Sequence, residues 1–217
     1  MKFKAVLFDL DGTLANSLKD LALSTNHVLK KYGFEERPEE NFKFYAGDGM
    51  AKMIARAMPQ ERVEDMLQTL LADFLEYYAV HYADNTSPYD GLVELVKKLK
   101  ESGLKIAVVT NKAQKAAESV VTKLFGDTFD YIMGMRPDIP AKPDPTAVLM
   151  VMEELGVKPE ECAFVGDTSM DIAAGVNAGA FPVGVLWGFR KREELESAGA
   201  KVFANTADEL GNILLGD

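Results

Sequence analysis

Short, nearly continuous apolar runs recur along the sequence and alternate with longer amphipathic stretches. Six of these runs predict strands, at residues 5–8, 105–110, 131–133, 162–165, 181–186 and 202–204. Because a continuous apolar run suits a strand that is covered on both faces, the runs indicate a parallel sheet.

Helical patterns lie between these strands. Residues 90–101 put their aliphatic side chains on one stripe and end before Gly103, and residues 145–155 begin at Pro145 and end before Gly156. Proline favours the first turn of a helix, and glycine favours the position just after the last turn. The repeated order of strand, helix and strand predicts an α/β fold with a doubly wound parallel sheet.

A long stretch after the first strand shows helical patterns and no convincing strand. The predicted helices cover residues 17–32, 48–58 and 60–82, with Pro59 between the last two. We therefore expect a helical insert of roughly 70 residues, which is within the size range of small domains. Residues 84–91 are predicted to form the return hinge. The predicted division is a core of residues 1–15 plus 84–217 and a helical domain of residues 16–83.

Composition and charge exclude several classes of function. The net charge is −10, and an acidic surface repels phosphate backbones, so we expect no nucleic-acid partner. A single cysteine, Cys162, excludes an intrachain disulfide and a zinc site built from cysteines. No run reaches the length of a membrane span, and the first apolar run is too short for a signal peptide. We expect a cytoplasmic protein with no membrane partner.

Carboxylates follow two of the predicted strands. Asp9 and Asp11 end the first strand, and Asp167 and Asp171 follow the fourth. In open α/β sheets the carboxyl ends of the strands form the binding edge, so these four groups are expected to converge there. Clustered carboxylates repel one another, so either some of them are protonated or a cation lies among them, and an all-oxygen ligand set favours Mg²⁺. The sequence therefore predicts a magnesium site formed by these four residues.

The same edge is predicted to hold a cation and a hydroxyl. Thr110 and Asn111 end the second strand, Lys142 precedes the fourth, and Gly12 allows a tight turn that exposes backbone N–H groups to an anion. A carboxylate nucleophile beside a second acid, a metal ion and a lysine is suited to phosphoryl transfer. We expect Asp9 to attack phosphorus and form an aspartyl-phosphate. The second acid would protonate the leaving oxygen and later deprotonate water.

Four ordered segments carry a family resemblance. They are residues 9–14 (Asp-Leu-Asp-Gly-Thr-Leu), Thr110-Asn111, Lys142-Pro143 and residues 166–171 (Gly-Asp-Thr-Ser-Met-Asp), and they resemble the four motifs of the haloacid dehalogenase superfamily of phosphatases. The resemblance spans the whole chain, including the insert. It implies a Rossmann-like core with a mobile helical cap and Mg²⁺-dependent hydrolysis of phosphomonoesters.

The resemblance also implies roles for individual residues. Asp9 is the expected nucleophile and Asp11 the general acid and base, whose carbonyl is a further metal ligand. Thr110 is expected to bind the phosphoryl group, together with Gly12 and Asn111 as substrate-binding residues. Lys142 is expected to neutralise charge and to bind substrate. Asp167 is the expected Mg²⁺ ligand, with Asp171 in support.

Within the superfamily, the sequence is most similar to phosphoglycolate phosphatases. Residues 45–50 (Tyr-Ala-Gly-Asp-Gly-Met) are similar to the glycine-bearing loop of their caps, so Gly47 and Gly49 are predicted to bind substrate. The expected partner is a small phosphorylated metabolite, and the chain is expected to be a monomer or a homodimer. Lys112 and Arg136 are interpreted as surface charges, with contact to an anion as the alternative. Trp187 is interpreted as a core side chain, with a place in the pocket wall as the alternative.

Two alternatives stay open at this point. A phosphomutase or phosphotransferase of the same superfamily would keep the site and change the acceptor, although Asp20 and Leu21 stand where such mutases usually carry a cap histidine. A non-enzymatic module that stores a phospho-aspartate would also use a strand-end aspartate, a threonine and a lysine. Such modules are much shorter and have no cap.

Overall fold

Strands and helices alternate along the computed structural model, which describes residues 3–216. The strands are β1 (Ala5–Phe8), β2 (Ala15–Asn16), β3 (Ser87–Pro88), β4 (Lys105–Ala113), β5 (Tyr131–Met135), β6 (Cys162–Gly166), β7 (Phe181–Val185) and β8 (Val202–Ala204). The helices are α1 (Leu18–Lys31), α2 (Phe42–Tyr45), α3 (Met50–Ala57), α4 (Val63–His81), α5 (Leu92–Glu101), α6 (Gln114–Phe125), α7 (Thr146–Leu155), α8 (Ser169–Asn177), α9 (Arg192–Ser197) and α10 (Ala207–Leu215). Short 3-10 helices cover Glu39–Asn41, Gln60–Arg62 and Pro159–Glu161.

Six of the strands form one parallel sheet in the order β5-β4-β1-β6-β7-β8. Strand β1 lies at its centre, where Ala5 pairs with Lys105 of β4 and with Cys162 of β6. The predicted parallel α/β fold is confirmed. Because β1, β4 and β6 are neighbours, the residues that follow these three strands meet at one edge of the sheet.

Both faces of the sheet are covered by apolar side chains. Val6 and Phe8 of β1 belong to the cluster on one face, and Ala5 and Leu7 belong to the cluster on the other. Successive side chains of a strand point to opposite faces, so a strand buried on both sides needs the unbroken apolar run seen here. Cys162, also buried, lies in the second cluster as a small apolar group.

Helices α1 to α4 occupy the stretch between β2 and β3 and bury a separate apolar cluster. Leu29, Phe42, Met53 and Phe74 are among its buried members, and Phe189 joins it from the loop after β7. The chain enters and leaves this stretch through β2 and β3, which pair antiparallel over two residues each. None of the helices within residues 3–216 is long and apolar enough to cross a bilayer.

Some boundaries differ from the sequence-based prediction for local reasons. The helix predicted over residues 48–58 begins at Met50, because Gly49 has a φ of +94° and lies outside the helix. The helix predicted over residues 60–82 begins as the 3-10 turn Gln60–Arg62 and becomes α-helical at Val63. Strand β4 continues three residues past the predicted end, with an irregular register between Val109 and Ala113.

Candidate active site

Lys142 lies at the centre of the candidate site and joins two carboxylates. Its Nζ donates to Asp9 Oδ1 at 2.6 Å, to Asp171 Oδ1 at 2.5 Å and to the carbonyl of Val109 at 3.0 Å. The lysine side chain is 2% exposed, so solvent hardly screens these contacts. All three ammonium protons therefore have acceptors, and the head group is held in one place beside Asp9.

Asp167 is fixed by two donors from different parts of the chain. Thr13 Oγ1 donates to its Oδ1 at 2.9 Å, and the backbone N–H of Phe189 donates to its Oδ2 at 2.7 Å. Gly12 and Gly188 pack directly against it, and a Cβ at either position would lie 2.3 Å from an Asp167 atom. Both glycines are needed for the main chain to come this close to the carboxylate.

Asp171 lies in the first turn of α8 and has protein donors on both oxygens. Its Oδ1 accepts from Lys142, and its Oδ2 accepts from the backbone N–H and the hydroxyl of Thr168 at 2.9 Å and 2.7 Å. Thr168 and Asp171 together form the capping box of α8. The arrangement fits a supporting role, in which Asp171 positions the ammonium of Lys142.

Three of the four predicted metal-site carboxylates lie together. Asp9, Asp167 and Asp171 are buried and each offers an oxygen within 4.8 Å of the others. Three ionised carboxylates and the Lys142 ammonium would give this cluster a formal net charge of −2. An oxygen-only donor set with that charge fits a hard divalent cation such as Mg²⁺. The carboxylate of Asp11 is outside the cluster.

Burial and the neighbouring negative charges raise the pKa values of two carboxylates in the cluster, Asp9 and Asp167. Burial, and then the negative charge of Asp171, raises the pKa of Asp9 to about 7 despite the opposing effect of Lys142. Burial also raises the pKa of Asp167, with Asp171 and Asp9 adding to the shift. Burial disfavours the ammonium of Lys142, but Asp171 and Asp9 outweigh it and raise the pKa of that lysine. The carboxylates therefore favour a cation among them.

Asp11 pairs with a lysine that the sequence analysis placed at the surface. Lys112 is 3% exposed, so that interpretation was wrong. Its Nζ donates to both oxygens of Asp11 at 3.1 Å and to the hydroxyl of Tyr78 at 2.6 Å. Burial lowers the pKa of Lys112, but the charge of Asp11 and the contact with Tyr78 outweigh it and raise the pKa overall. A buried lysine can hold its charge here because it has these partners.

Thr110 and Asn111 lie at the edge of the sheet beside this pair. The Thr110 hydroxyl accepts from the backbone N–H of Lys112 at 3.2 Å. The Asn111 amide bonds to the main chain of Lys142, accepting from its N–H at 2.9 Å and donating to its carbonyl at 3.4 Å. Both residues border the cavity described next, and Asn111 also fixes the loop that carries Lys142.

A cavity of about 50 Å³ separates this edge of the sheet from the helical insert. Its polar wall comes from the core, and the insert contributes an apolar and glycine-containing wall formed by Leu21, Ala46, Gly47, Gly49, Met50 and Met53. The space has room for about three or four waters. It brings the two predicted cap glycines to the same cavity as Asp9, Asp11, Thr110 and Asn111, whereas Gly12 packs behind it against Asp167.

Asp20, which the sequence analysis did not assign to the site, ties the insert to the return hinge. This buried carboxylate lies on α1 and accepts from the backbone N–H groups of Asn85 and Thr86 at 2.8 to 3.0 Å. It also accepts from the Asn85 amide and the Thr86 hydroxyl at 2.7 Å. Burial would raise the pKa of Asp20, but these hydrogen bonds outweigh it and lower the pKa.

Other contacts could not be read from the sequence. Trp187 packs against the first core cluster, as predicted, and its Nε1 also donates to the carbonyl of Thr13 at 2.9 Å. Arg136 is half-buried, and its Nε has no hydrogen-bond partner among the described residues. The one usable signal for Lys112 was its position directly after the Thr110-Asn111 motif.

Comparisons with known proteins agree with this geometry. The family model of haloacid dehalogenase-like hydrolases matches residues 6–185. A phosphoglycolate phosphatase of Aquifex aeolicus is 36% identical over 189 residues, which cover 87% of each chain. An N-acetylmuramic acid 6-phosphate phosphatase of Pseudomonas aeruginosa is 31% identical over 216 residues, covering 99% of this chain and 96% of the relative.

A solved structure extends the similarity to the whole fold. The crystal structure of a predicted phosphoglycolate phosphatase from Haemophilus somnus superposes with a TM-score of 0.88 at 29% identity, covering 99% of this chain and 98% of the other. The matched residues include all of β4 and β6 and all of β1 except Ala5, and these strands carry the candidate site. The chain therefore belongs to the haloacid dehalogenase-like hydrolase family and groups with its phosphatases.

Proposed function

We propose that the protein hydrolyses the phosphomonoester of a small metabolite in an Mg²⁺-dependent reaction, through a phosphorylated Asp9. The observation that supports this most is the juxtaposition of Asp9, the ammonium of Lys142 and two further carboxylates, with Asp9 at the wall of a cavity. A carboxylate nucleophile needs cations beside it to approach an anionic phosphoryl group.

The first half-reaction transfers the phosphoryl group to the protein. An oxygen of Asp9 bonds to phosphorus, the bond from phosphorus to the ester oxygen breaks, and its electron pair stays on that oxygen. Asp11 gives this oxygen a proton, so that the alcohol leaves and Asp11 becomes a carboxylate. Lys142 offsets negative charge at the reacting centre, and Thr110 holds a phosphoryl oxygen.

The second half-reaction returns the protein to its starting state. The oxygen of a water bonds to phosphorus while Asp11 accepts the proton of that water. The bond between phosphorus and Asp9 breaks, and its electron pair returns to the Asp9 carboxylate. Phosphate then leaves. The same residue acts as acid in one step and base in the next, which requires its carboxyl group to face the same point in both.

The metal site is assigned to residues of this edge. Asp9, Asp167 and the main-chain carbonyl of Asp11 would hold the ion, with Asp171 in support. A bound Mg²⁺ would supply positive charge that offsets the phosphoryl oxygens.

The substrate is proposed to be small because residues 16–83 cover the site as a cap over the core of residues 1–15 plus 84–217. The cavity between the insert and the core is small, about 50 Å³. Phosphoglycolate is the first candidate, since the Aquifex aeolicus relative carries that name. The cap excludes bulk water during the reaction. A monomer or a homodimer is equally compatible with a site that lies within one chain.

A phosphate-release screen tests this proposal. The purified protein is offered phosphoglycolate, pyrophosphate, hexose phosphates and N-acetylmuramic acid 6-phosphate, with Mg²⁺ or with a chelator. We expect release that needs Mg²⁺, disappears in Asp9→Asn and persists in the control Asp138→Asn, which changes an exposed carboxylate. Trapped protein should carry one phosphoryl group on the peptide that contains Asp9.

Three results would contradict the proposal. Undiminished activity with chelator or with Asp9→Asn would reject the mechanism. An isomer of the substrate with little free phosphate would indicate a mutase. A phosphorylated protein that persists for minutes would indicate storage of the phosphoryl group, because turnover of a catalytic intermediate takes well under a second at typical rates.

A further inference from the structure

We propose that Lys112 and Tyr78 form a positioning pair that holds the carboxyl group of Asp11 toward the leaving oxygen only while the helical insert covers the site. This inference rests on the proposed function and assigns roles to two residues outside the four sequence motifs. Neither residue is proposed to touch phosphorus, so both are positioning residues for the proton transfer.

The contacts of Lys112 define the pair. An ammonium has three protons, and Nζ of Lys112 directs them at Oδ1 and Oδ2 of Asp11 and at the hydroxyl of Tyr78. Lys112 therefore binds both oxygens of the Asp11 carboxyl group. The lysine side chain has no exposed surface, whereas that of Asp11 is 19% exposed and borders the cavity. Lys112 borders the same cavity, and its contact with Asp11 leaves part of that carboxyl group exposed there.

The pair connects the two parts of the molecule. Lys112 belongs to β4 of the core sheet, and Tyr78 belongs to α4 of the insert. Tyr78 is 2% exposed and stacks on Phe74 with ring centroids 5.1 Å apart, so its position is set by the packing of α4. Nζ of Lys112 also lies 4.9 Å from the centroid of the Tyr78 ring. If α4 moved away from the core, the lysine would lose its hydroxyl acceptor and its aromatic cover at once.

A second observation separates this pair from an ordinary buried ion pair. The other buried lysine of the site, Lys142, has its acceptors in the core alone, on Asp9, Asp171 and Val109. Lys112 alone of the two takes an acceptor from the insert. The contacts that place the Lys142 ammonium do not involve the insert. The contacts that place Lys112 against Asp11 include Tyr78 of the insert.

In the transfer of the phosphoryl group to Asp9, the ester oxygen keeps the electron pair and takes the proton of Asp11. An alkoxide needs this proton to leave, whereas acetate is a weak base and leaves without it. Loss of the hydrogen bonds from Lys112 to Asp11 should therefore slow the cleavage of an alkyl phosphate far more than that of an acyl phosphate of the same size.

Ethyl phosphate and acetyl phosphate provide the matched substrates, since they differ by one carbonyl oxygen. We would measure kcat/KM of phosphate release for both, because this constant reports the steps up to departure of the leaving group. For Lys112→Met we expect about a 100-fold loss with ethyl phosphate, in the range that general acid catalysis contributes, and roughly a threefold loss with acetyl phosphate. The control Lys100→Met, at an exposed pair with Asp130, should change neither.

Tyr78→Phe tests the contribution of the insert with a smaller change. It removes one hydroxyl and keeps the ring, and we expect roughly a fivefold loss with ethyl phosphate and no loss with acetyl phosphate. In the double variant the two losses should not multiply, because both act through one contact chain. If Lys112→Met does not fold, the Tyr78→Phe variant by itself tests the positioning role.

Equal losses with both substrates, or a Tyr78→Phe variant that behaves as the wild type with ethyl phosphate, would overturn the positioning role. Losses that multiply in the double variant would overturn the coupling through Tyr78. A wild-type protein that releases phosphate from neither substrate nor from the metabolite panel would instead reject the proposed function, so the two failures are distinguishable.

Discussion

A Cβ atom on residue 12 would lie 2.3 Å from Oδ2 of Asp167, so the glycine there sets how closely the first motif approaches the last. Gly12 also has a φ of +94°, which L side chains rarely adopt. We expect Gly12→Ala to displace Asp167 and to lower kcat by at least about 100-fold, since small misplacements at a reacting centre have effects of this size. Steady-state phosphate release would measure it.

Gly103→Ala is the matched control for this prediction. Gly103 has a φ of +85°, but a Cβ there meets no atom within 4 Å. Both variants should lose stability from backbone strain, about 1–3 kcal/mol each. Only the substitution at residue 12 should also lose activity at temperatures where both proteins are folded, and equal activities would contradict the close-approach explanation.

The raised pKa of Asp9 predicts how stability depends on pH. Its folded pKa of about 7 is above the ordinary value of 3.8, so between these values the native protein binds more protons than the unfolded one. The contribution of Asp9 to the free energy of unfolding therefore falls as pH rises through that interval. In metal-free protein, Asp9→Asn should raise Tm at pH 8 by at least about 2–4 °C. The difference in Tm between the two proteins should be smaller at pH 4. Identical pH profiles of the two proteins would contradict this.

The acidic cluster predicts a thermal shift with Mg²⁺ that does not depend on activity. A ligand that binds only the folded state stabilises it by mass action. We expect millimolar Mg²⁺ to raise the Tm of the wild type by a few degrees, roughly 2–4 °C for each kcal/mol. Asp167→Asn should abolish the shift, while the exposed Asp138→Asn should keep it. A shift that survives in Asp167→Asn would place the ion elsewhere.

The hydrogen bonds of Asp20 predict a role in holding the hinge. Asp20→Ala leaves the N–H groups of Asn85 and Thr86 without their acceptor, and we expect the free energy of unfolding to fall by about 2–3 kcal/mol. Hydrogen exchange at these two amides should accelerate. Asp84→Asn, an exposed change on the same segment, should stay within about 0.5 kcal/mol of the wild type.

The contribution of Asp20 to stability depends on pH in the opposite direction from that of Asp9. The pKa of Asp20 is lowered in the folded protein, so its stabilising contribution is present above the unfolded pKa and is lost as pH falls through the folded one. Acid unfolding of Asp20→Ala should therefore show a weaker loss of stability at low pH than the wild type. Parallel acid transitions for the two proteins would count against an ionised Asp20 in the folded state.

Local pattern was sufficient for the architecture. Continuous apolar runs predicted the six strands of the parallel sheet, because a strand covered on both faces has no polar position, and this property is visible within five residues. The order of the motifs then placed Asp9, Lys142 and Asp167 at one edge, since parallel strands all end on the same side. Resemblance to a family added the expected roles.

The partners of these groups were decided by tertiary structure. Lys112 follows the predicted strand of residues 105–110 as many surface lysines do, but the structure places it within β4, buried beside Asp11 and Tyr78, which are 101 and 34 residues away in sequence. The contact of Asp20 with Thr86 likewise spans 66 residues. Periodicity within a segment reports which face is apolar, but the pairing of buried charges depends on which distant segments meet, and a single sequence carries no local signal for that.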